Sequence, residues 1–177
     1  MPTHSAEQER AYHGRCGTGL TIIESEHRLR PAVQEILRLT ADADAILGTG
    51  HLSPVEILLL VRAAKEAGVR KILINHPEIT FLNLPVALQR EIAGPGVYFE
   101  RCYVRNGFAL SWDELATVIR ELRPETTVLA TDLGQPENPD PVTGLLEMVE
   151  QLARRGFSKA EWQRMTCETP AELLGLS

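Results

Sequence analysis

Four polar side chains stand immediately after short apolar runs, where the strands of parallel sheets place their working groups. They are His51, His76, Glu100 and Asp132. The loops at the carboxyl ends of parallel strands converge on one face, so residues in this position can meet one another. Two imidazoles and a carboxylate from different strands suit zinc or a similar divalent ion. The spacing therefore predicts a metal site made by His51, His76 and Asp132, in which the carboxylate can also take a proton from an ion-bound water.

Each of these residues also has an ordinary structural interpretation. A single histidine after a strand is commonly a loop residue or a hydrogen-bonded core residue. The segment Gly48-Thr49-Gly50 before His51 fits close backbone approach to a ligand, but it fits a plain turn as well. Arg101 and Arg105 flank the exit of one predicted strand and are interpreted either as surface residues or as contacts for an anionic substrate.

The elements that must position these residues are short apolar strands that alternate with amphipathic helices. The predicted strands are residues 45–48, 71–75, 97–100 and 126–130. Their apolar residues run continuously, which is typical of parallel strands covered on both faces. Four predicted helices begin with a Ser or Thr that is followed three residues later by a Glu, the pattern of a capping box. These pairs are Ser53 with Glu56, Ser111 with Glu114, Ser158 with Glu161 and Thr169 with Glu172.

The alternation of strands and helices predicts an α/β fold with right-handed βαβ crossovers. The four strand-end residues are separated by 25, 24 and 32 residues, and an eight-fold barrel uses about 31 residues per unit. The chain is therefore predicted to be a partial (β/α)8 TIM-like barrel that lacks about three N-terminal strands. An open doubly wound sheet fits the period almost as well, but neither GxGxxG nor GxxxxGK(S/T) occurs to support its phosphate-binding versions.

The N-terminal part of the chain is less regular. Residues 19–24 are predicted to be a strand or one arm of a hairpin, and residues 31–39 a helix. The first 17 residues show no periodicity and are predicted to be a poorly ordered tail. Residues 18–177 are predicted to form a single partial-barrel domain.

Composition narrows the classes of function. The chain is 44% apolar and 24% charged with a net charge of −6, and no basic patch that would bind nucleic acid stands out. No apolar run is long enough to cross a bilayer, and the first ten residues lack the apolar core of a secretory leader. Three cysteines without CxxC spacing fit free thiols in a reducing compartment. A cytoplasmic protein without a membrane or nucleic-acid partner is expected.

Four segments together resemble the amidohydrolase superfamily of TIM-barrel metal-dependent hydrolases. They are Thr49-Gly50-His51-Leu52-Ser53, Asn75-His76-Pro77, Thr131-Asp132-Leu133-Gly134-Gln135 and the ending Thr169-Pro170-Ala171-Glu172-Leu173-Leu174-Gly175-Leu176. The resemblance covers residues 19–177. It implies that His51 and His76 are metal ligands at the ends of the fifth and sixth barrel strands. It also implies that Asp132 ends the eighth strand as ligand and proton acceptor, and that Glu100 ends the seventh and points into the mouth of the site.

The chain departs from the superfamily pattern in several places. The first-strand His-x-His pair is absent, and His4 and His13 lie in aperiodic sequence that does not replace it. The bridging group of the fourth strand has no clear equivalent, although Glu24 stands at a predicted strand end. Thr169 stands where relatives often have Asn, a small change at a helix cap. Without the His-x-His pair, the resemblance implies at most one ion held by three protein ligands, and a lone chain that can be incomplete or inactive.

The function that the resemblance implies is a metal-dependent hydrolase acting on a small amide, lactone or ester through a metal-activated water. Zinc is the expected metal, with manganese or iron as alternatives, and Asp132 is the expected catalytic residue. Glu100, Gln135 and Arg105 are the expected substrate contacts. A non-catalytic barrel scaffold or oligomeric assembly module, and a phosphoesterase on a related barrel, stay open as alternatives. Because a partial barrel exposes strand edges and apolar faces, a homo-oligomer that covers them is expected.

Overall fold

The computed structural model of the protein describes residues 1–25, 28–104 and 108–176. The strands are β1 (Ile23–Ser25), β2 (Arg28–Leu29), β3 (Leu47–Gly48), β4 (Ile72–Ile74), β5 (Val97–Arg101) and β6 (Thr127–Leu129). The α-helices are α1 (Glu7–Tyr12), α2 (Pro31–Asp42), α3 (Pro54–Glu66), α4 (Val86–Ile92), α5 (Trp112–Leu122), α6 (Pro141–Arg154), α7 (Lys159–Gln163) and α8 (Thr169–Leu174). A 3₁₀ turn at Pro124–Thr126 precedes β6, and a π-helical turn at Arg164–Glu168 joins α7 to α8. Strands and helices thus alternate from β3 to α6, as the sequence predicts.

Strands β3 to β6 form a four-stranded sheet in the order β3-β4-β5-β6. β3 and β4 are parallel with Leu47 opposite Ile72, and β5 and β6 are parallel with Phe99 opposite Thr127. The predicted α/β class with parallel strands is confirmed. The spatial order of the strands follows their order in the chain, as successive βα units produce it. Four strands do not decide between a barrel and an open sheet, so the partial barrel stays a prediction.

Three of the predicted capping boxes are confirmed. Ser53 precedes α3, Ser111 precedes α5 and Ser158 precedes α7. Each serine oxygen accepts a hydrogen bond from the backbone N–H of the Glu three residues later, and the carboxylate of that Glu accepts one from the serine N–H. Each box therefore satisfies two backbone donors that would otherwise lack an intrahelical partner.

The capping box predicted at Thr169 is wrong. The π-helical turn Arg164–Glu168 runs directly into α8, and Thr169 is itself helical, so it does not cap the start of a helix. The Thr169 hydroxyl donates instead to the carbonyl of Glu125 at 3.4 Å, and the Glu172 carboxylate binds Arg164 at 2.5 and 2.6 Å. The Thr169–Glu172 spacing gave a wrong prediction because it does not show that the preceding residues are already helical.

The chain upstream of the sheet is more structured than its sequence indicates. β1 and β2 pair antiparallel with Ile23 opposite Leu29, so the hairpin alternative is the one that the structure contains. Residues 1–17, for which the sequence predicts a poorly ordered tail, include α1. Ala6 and Glu9 in this segment are buried, whereas most of its other residues are exposed.

The described chain divides into two compact units, and the single domain predicted for residues 18–177 stays a prediction. The first unit comprises Met1–Asn75 and Phe81–Tyr98, and the second comprises His76–Thr80 and the chain from Phe99 onward. Apolar side chains of β4 and α3 are buried in the first unit, among them Ile57, Leu60, Ile72 and Ile74. The core of the second unit is formed by Leu115, Ala116, Ile119, Leu129, Met148, Leu152, Phe157 and Met165. Among the described residues, no helix has the length and apolar character needed to cross a bilayer.

Candidate metal centre

His51 lies just past the carboxyl end of β3 in the first unit. The Thr49 N–H donates to the Leu73 carbonyl of β4 at 3.0 Å, which continues the strand pairing beyond Gly48. The Gly50 N–H then donates to the side-chain oxygen of Asn75 at 2.9 Å, and the His51 N–H donates to the Pro2 carbonyl at 3.0 Å. His51 is 9% exposed. Hydrogen bonds to Asn75 and Pro2 thus hold the backbone on both sides of His51, which fixes the position of its side chain.

Helix α1 brings Glu9 to the same place. The Glu7 N–H donates to the Leu20 carbonyl at 3.0 Å, and the Gln8 side chain donates to the Phe81 carbonyl at 2.6 Å. Gly19 packs directly against the start of the helix, since a Cβ added to Gly19 would lie 2.2 Å from the Glu7 Cα. These contacts hold a six-residue helix that would not be stable in isolation.

Glu9 joins two imidazoles through its two oxygens. The Nδ1 atom of His4 lies 2.7 Å from Glu9 Oε1, and the Nδ1 atom of His51 forms a hydrogen bond with Glu9 Oε2. Potential ligand atoms of all three residues lie within 4.8 Å of one another. The side chains of Glu9 and His51 are 3% and 11% exposed, whereas that of His4 is 77% exposed. The group is therefore buried on one side and open to solvent at His4.

The charge on Glu9 is set by two opposing effects. Burial raises its pKa, but hydrogen bonds from His4 and His51 and their positive charge outweigh burial and bring the pKa below its ordinary value. The Arg15 guanidinium, half-exposed and 3.8 Å from Glu9, adds a further positive charge. Glu9 is consequently a carboxylate at neutral pH, the form that binds a cation.

The donor set of this group fits a divalent ion. Two histidines and one glutamate make up one of the ligand sets of catalytic zinc sites, which leave a fourth position for water or substrate. A cation would replace the protons that now lie between Glu9 and the two imidazoles, so binding would release protons. The Arg15 side chain is half-exposed, so its guanidinium has solvent available when a divalent ion takes its place beside Glu9.

His51, His76 and Asp132, the predicted metal ligands, are divided between the two units. His51 belongs to the first, and His76 and Asp132 belong to the second. His76 follows β4, is 8% exposed and has a φ of 25°, and the exposed Asp132 follows β6 with a φ of 50°. Positive φ values are uncommon for such residues and cluster at functional sites. Shared coordination of one ion by these three residues stays a prediction.

The predicted substrate contacts occupy different environments. Glu100 is half-buried on β5, and Gln135 is exposed in the loop after β6. The side-chain oxygen of Gln135 accepts a hydrogen bond from the Asn138 amide at 2.6 Å. Arg105 lies outside the described residues. The substrate-binding role of all three stays a prediction.

Arg101 is not a surface residue, and that interpretation is wrong. Its side chain is completely buried, its guanidinium pairs with the buried carboxylate of Glu78, and it lies 4.9 Å from the centre of the Phe99 ring. Burial lowers the pKa of Arg101, and the charge and hydrogen bond of Glu78 oppose that effect. Local sequence could not reveal this, because Glu78 lies 23 residues upstream.

His4 and Glu9 are the site residues that sequence reasoning missed. They lie in the segment without periodicity, and Glu9 meets a residue 42 positions away in the chain. No spacing rule connects a histidine near the N-terminus to a histidine after β3. The only available signal is that the segment carries His and Glu at all, and many solvated segments do.

Comparison with known proteins covers the part of the chain that holds this group. A family model described as a family of unknown function (DUF6282) matches residues 1–100, and no curated protein matches the chain. The matched residues include His4, Glu9, His51 and His76, whereas Asp132 lies beyond them. Because the match covers more than half of the 177 residues, the chain belongs to the family DUF6282.

Proposed function

We propose that the protein is a metal-dependent hydrolase of the amidohydrolase type that acts on a small amide, lactone or ester. The observation that carries the proposal is the group of His4, Glu9 and His51, whose ligand atoms all lie within 4.8 Å of one another. The group lies at the carboxyl end of β3, and parallel α/β folds have their active sites at the carboxyl ends of their strands. The resemblance of the chain to the amidohydrolase superfamily supports the same chemistry.

His51, Glu9 and His4 are the residues that would hold the ion. Their two nitrogen donors and one oxygen donor favour zinc, with manganese or iron as alternatives. A bound divalent ion lowers the pKa of a water ligand towards neutrality and so supplies a nucleophile at neutral pH. Glu9 contributes a charge that is already present, because its lowered pKa keeps it ionised. The burial of Glu9 excludes water from one side of the site. It also strengthens the attraction between the Glu9 carboxylate and a cation.

The resemblance implies another ligand set for the ion, formed by His51, His76 and Asp132, in which Asp132 is also the general base. Asp132 is exposed, so it can accept a proton and return it to solvent after each turnover. Glu100 and Gln135 are proposed to contact the substrate.

The proposed architecture is a partial (β/α)8 barrel completed by a second copy of the chain. The order β3-β4-β5-β6 supports it, since consecutive neighbouring strands are what a barrel of βα units requires. The two outer strands of such a sheet present backbone donors and acceptors that a second copy can cover. None of the three cysteines forms a disulfide in the described chain, which supports the cytoplasm as the compartment.

A non-catalytic scaffold is the second candidate, and the hydrogen bonding within the group favours it. Glu9 accepts from both imidazoles, so the three side chains satisfy one another without an ion. The group would then serve to dock α1 onto the end of β3. Metal binding and turnover separate the two candidates.

The test is a hydrolase screen on the full chain, purified without chelator and loaded in turn with zinc, manganese or iron(II). The panel contains carboxamides, lactones, carboxylic esters and phosphomonoesters. We expect hydrolysis of at least one of the first three classes, loss of it in His51→Ala, and retention in Glu7→Ala, which removes an exposed glutamate from the same helix as Glu9. Turnover of phosphomonoesters alone would reassign the enzyme as a phosphoesterase. No turnover by any metal-loaded form would leave the scaffold as the better account.

A further inference from the structure

A continuous series of rings leads away from His51 in the first unit. The His51 ring lies 4.9 Å from the Phe81 ring, centre to centre, at an interplanar angle of 56°. Phe81 in turn lies 6.2 Å from both Tyr12 and His13. Tyr12 and His13 meet edge to face at 5.1 Å. These separations and tilted arrangements are those in which aromatic rings attract one another.

The rings of this series differ in solvent exposure, and the exposed rings are accessible to a ligand. Phe81 is 7% exposed and forms the buried middle of the series. Tyr12 is 57% exposed, and His13 is also exposed. The Gln8 side chain ties α1 to the Phe81 carbonyl at 2.6 Å, so the helix that carries Tyr12 is fastened to the segment that carries Phe81. The exposed rings of Tyr12 and His13 therefore pack on Phe81, the buried ring that also contacts His51.

We infer that Tyr12, His13 and Phe81 form a subsite for a planar aromatic group of the substrate. This inference rests on the proposed function, since the bond cleaved would be the acyl C–N bond of an aromatic amide or the acyl C–O bond of an aromatic ester or fused-ring lactone. An aromatic ring placed against Tyr12 and His13 gains ring–ring attraction that a saturated ring of the same size does not.

Binding can be measured separately from hydrolysis. We would titrate the full chain, metal-free and zinc-loaded, with benzamide and with cyclohexanecarboxamide, and follow the binding by two-dimensional NMR. We expect benzamide to bind about fivefold more tightly, with its largest shifts at Tyr12, His13, Phe81 and His51. Tyr12→Ala should abolish the preference, and Tyr12→Phe, which keeps the ring, should retain it. Thermal unfolding checks that both variants stay folded, since the Tyr12 ring also contacts His13 and Phe81.

Equal affinity for the two amides would overturn the subsite, as would a preference that survives in Tyr12→Ala. The measurements distinguish failure of the aromatic subsite from failure of the proposed hydrolase function. Zinc binding and amide hydrolysis without an aromatic preference would remove the subsite and leave the enzyme. An aromatic preference in a chain that binds no zinc and hydrolyses nothing would leave the subsite and remove the enzyme.

Discussion

Glu9 and His51 are 42 residues apart in the chain, and the Glu9 carboxylate accepts a hydrogen bond from Nδ1 of His51. Burial raises the pKa of Glu9, but the hydrogen bonds from His4 and His51 outweigh it, so Glu9 is ionised at neutral pH and the hydrogen belongs to the imidazole. This hydrogen bond fixes the orientation of the His51 ring relative to Glu9. The pairing is the link between the N-terminal helix and the end of β3.

The position of α1 should depend on Gly19. A Cβ at this residue would lie 2.2 Å from the Glu7 Cα and 2.5 Å from the Glu7 nitrogen, and backbone atoms of a helix cannot yield as a flexible side chain can. Gly19→Ala should therefore displace α1 and Glu9 and weaken zinc binding at least about tenfold, although Gly19 touches no ligand. Zinc affinity is measured by competition with a chromogenic chelator. Gly134→Ala, where an added Cβ meets nothing within 4 Å, is the control. Unchanged zinc affinity in Gly19→Ala would contradict the proposed role of α1.

Glu56 should be one of the most sensitive positions for stability. Its carboxylate, 4% exposed, accepts hydrogen bonds from the Thr21 hydroxyl at 2.6 Å, the Ile22 N–H at 3.0 Å, and the N–H and hydroxyl of Ser53 at 3.0 and 2.8 Å. Glu56→Ala leaves these donors without their acceptor and should lower the free energy of unfolding by about 2 to 3 kcal/mol. Urea denaturation measures it. Glu66→Ala, an exposed glutamate at the end of the same helix, should change stability by less than about 0.5 kcal/mol. Equal effects of the two substitutions would contradict this account of the α3 start.

The buried pair of Arg101 and Glu78 should show strong coupling. Arg101→Met alone leaves the Glu78 carboxylate buried without its counter-charge and should cost about 3 to 5 kcal/mol of unfolding free energy. The double variant Arg101→Met with Glu78→Leu removes both charges and should recover most of that loss. A double-mutant cycle by chemical denaturation provides the comparison. Additive losses in the two single variants and the double variant would show that the pair is not coupled.

The pH dependence of stability should include a contribution from Asp140, the N-cap of α6. Hydrogen bonds from the Thr143 hydroxyl, the Thr143 N–H and the Val142 N–H lower its pKa below the ordinary value of 3.8. A lowered folded-state pKa adds stability that is fully present above the unfolded pKa and is lost as pH falls through the folded pKa. The gap in urea midpoint between wild type and Asp140→Asn should thus shrink from about pH 5 to about pH 3. A difference in urea midpoint that stays constant over this pH range would contradict stabilisation of α6 by the ionised Asp140 carboxylate.

Local features of the fold could be predicted from the sequence, because interactions between residues close together in the chain produce them. The boxes at Ser53, Ser111 and Ser158 and the continuous apolar runs follow from hydrogen bonding and burial within a few residues. Thr169 shows the limit of this approach, since the same pattern occurs inside a helix that has already begun.

The candidate site was predictable only in part. The sequence predicts that His51 follows a strand, and this prediction is confirmed. His4 and Glu9 were not found because their contacts join parts of the chain that share no periodicity. The burial of Arg101 could not be predicted for the same reason. A charged residue at a strand end is expected at the surface, and only a distant partner, Glu78, makes its burial possible.

The most direct test of the metal centre is the metal content of the full chain purified without chelator, for wild type, Glu9→Ala, His51→Ala and Glu7→Ala. Inductively coupled plasma mass spectrometry gives the count, and circular dichroism confirms that each variant is folded. The account predicts about one zinc, manganese or iron per chain in wild type and Glu7→Ala, and loss of that ion in Glu9→Ala and His51→Ala. A wild type that carries no metal and takes up none on addition, or an ion retained in all four proteins, would contradict the assignment of His4, Glu9 and His51 as the metal centre.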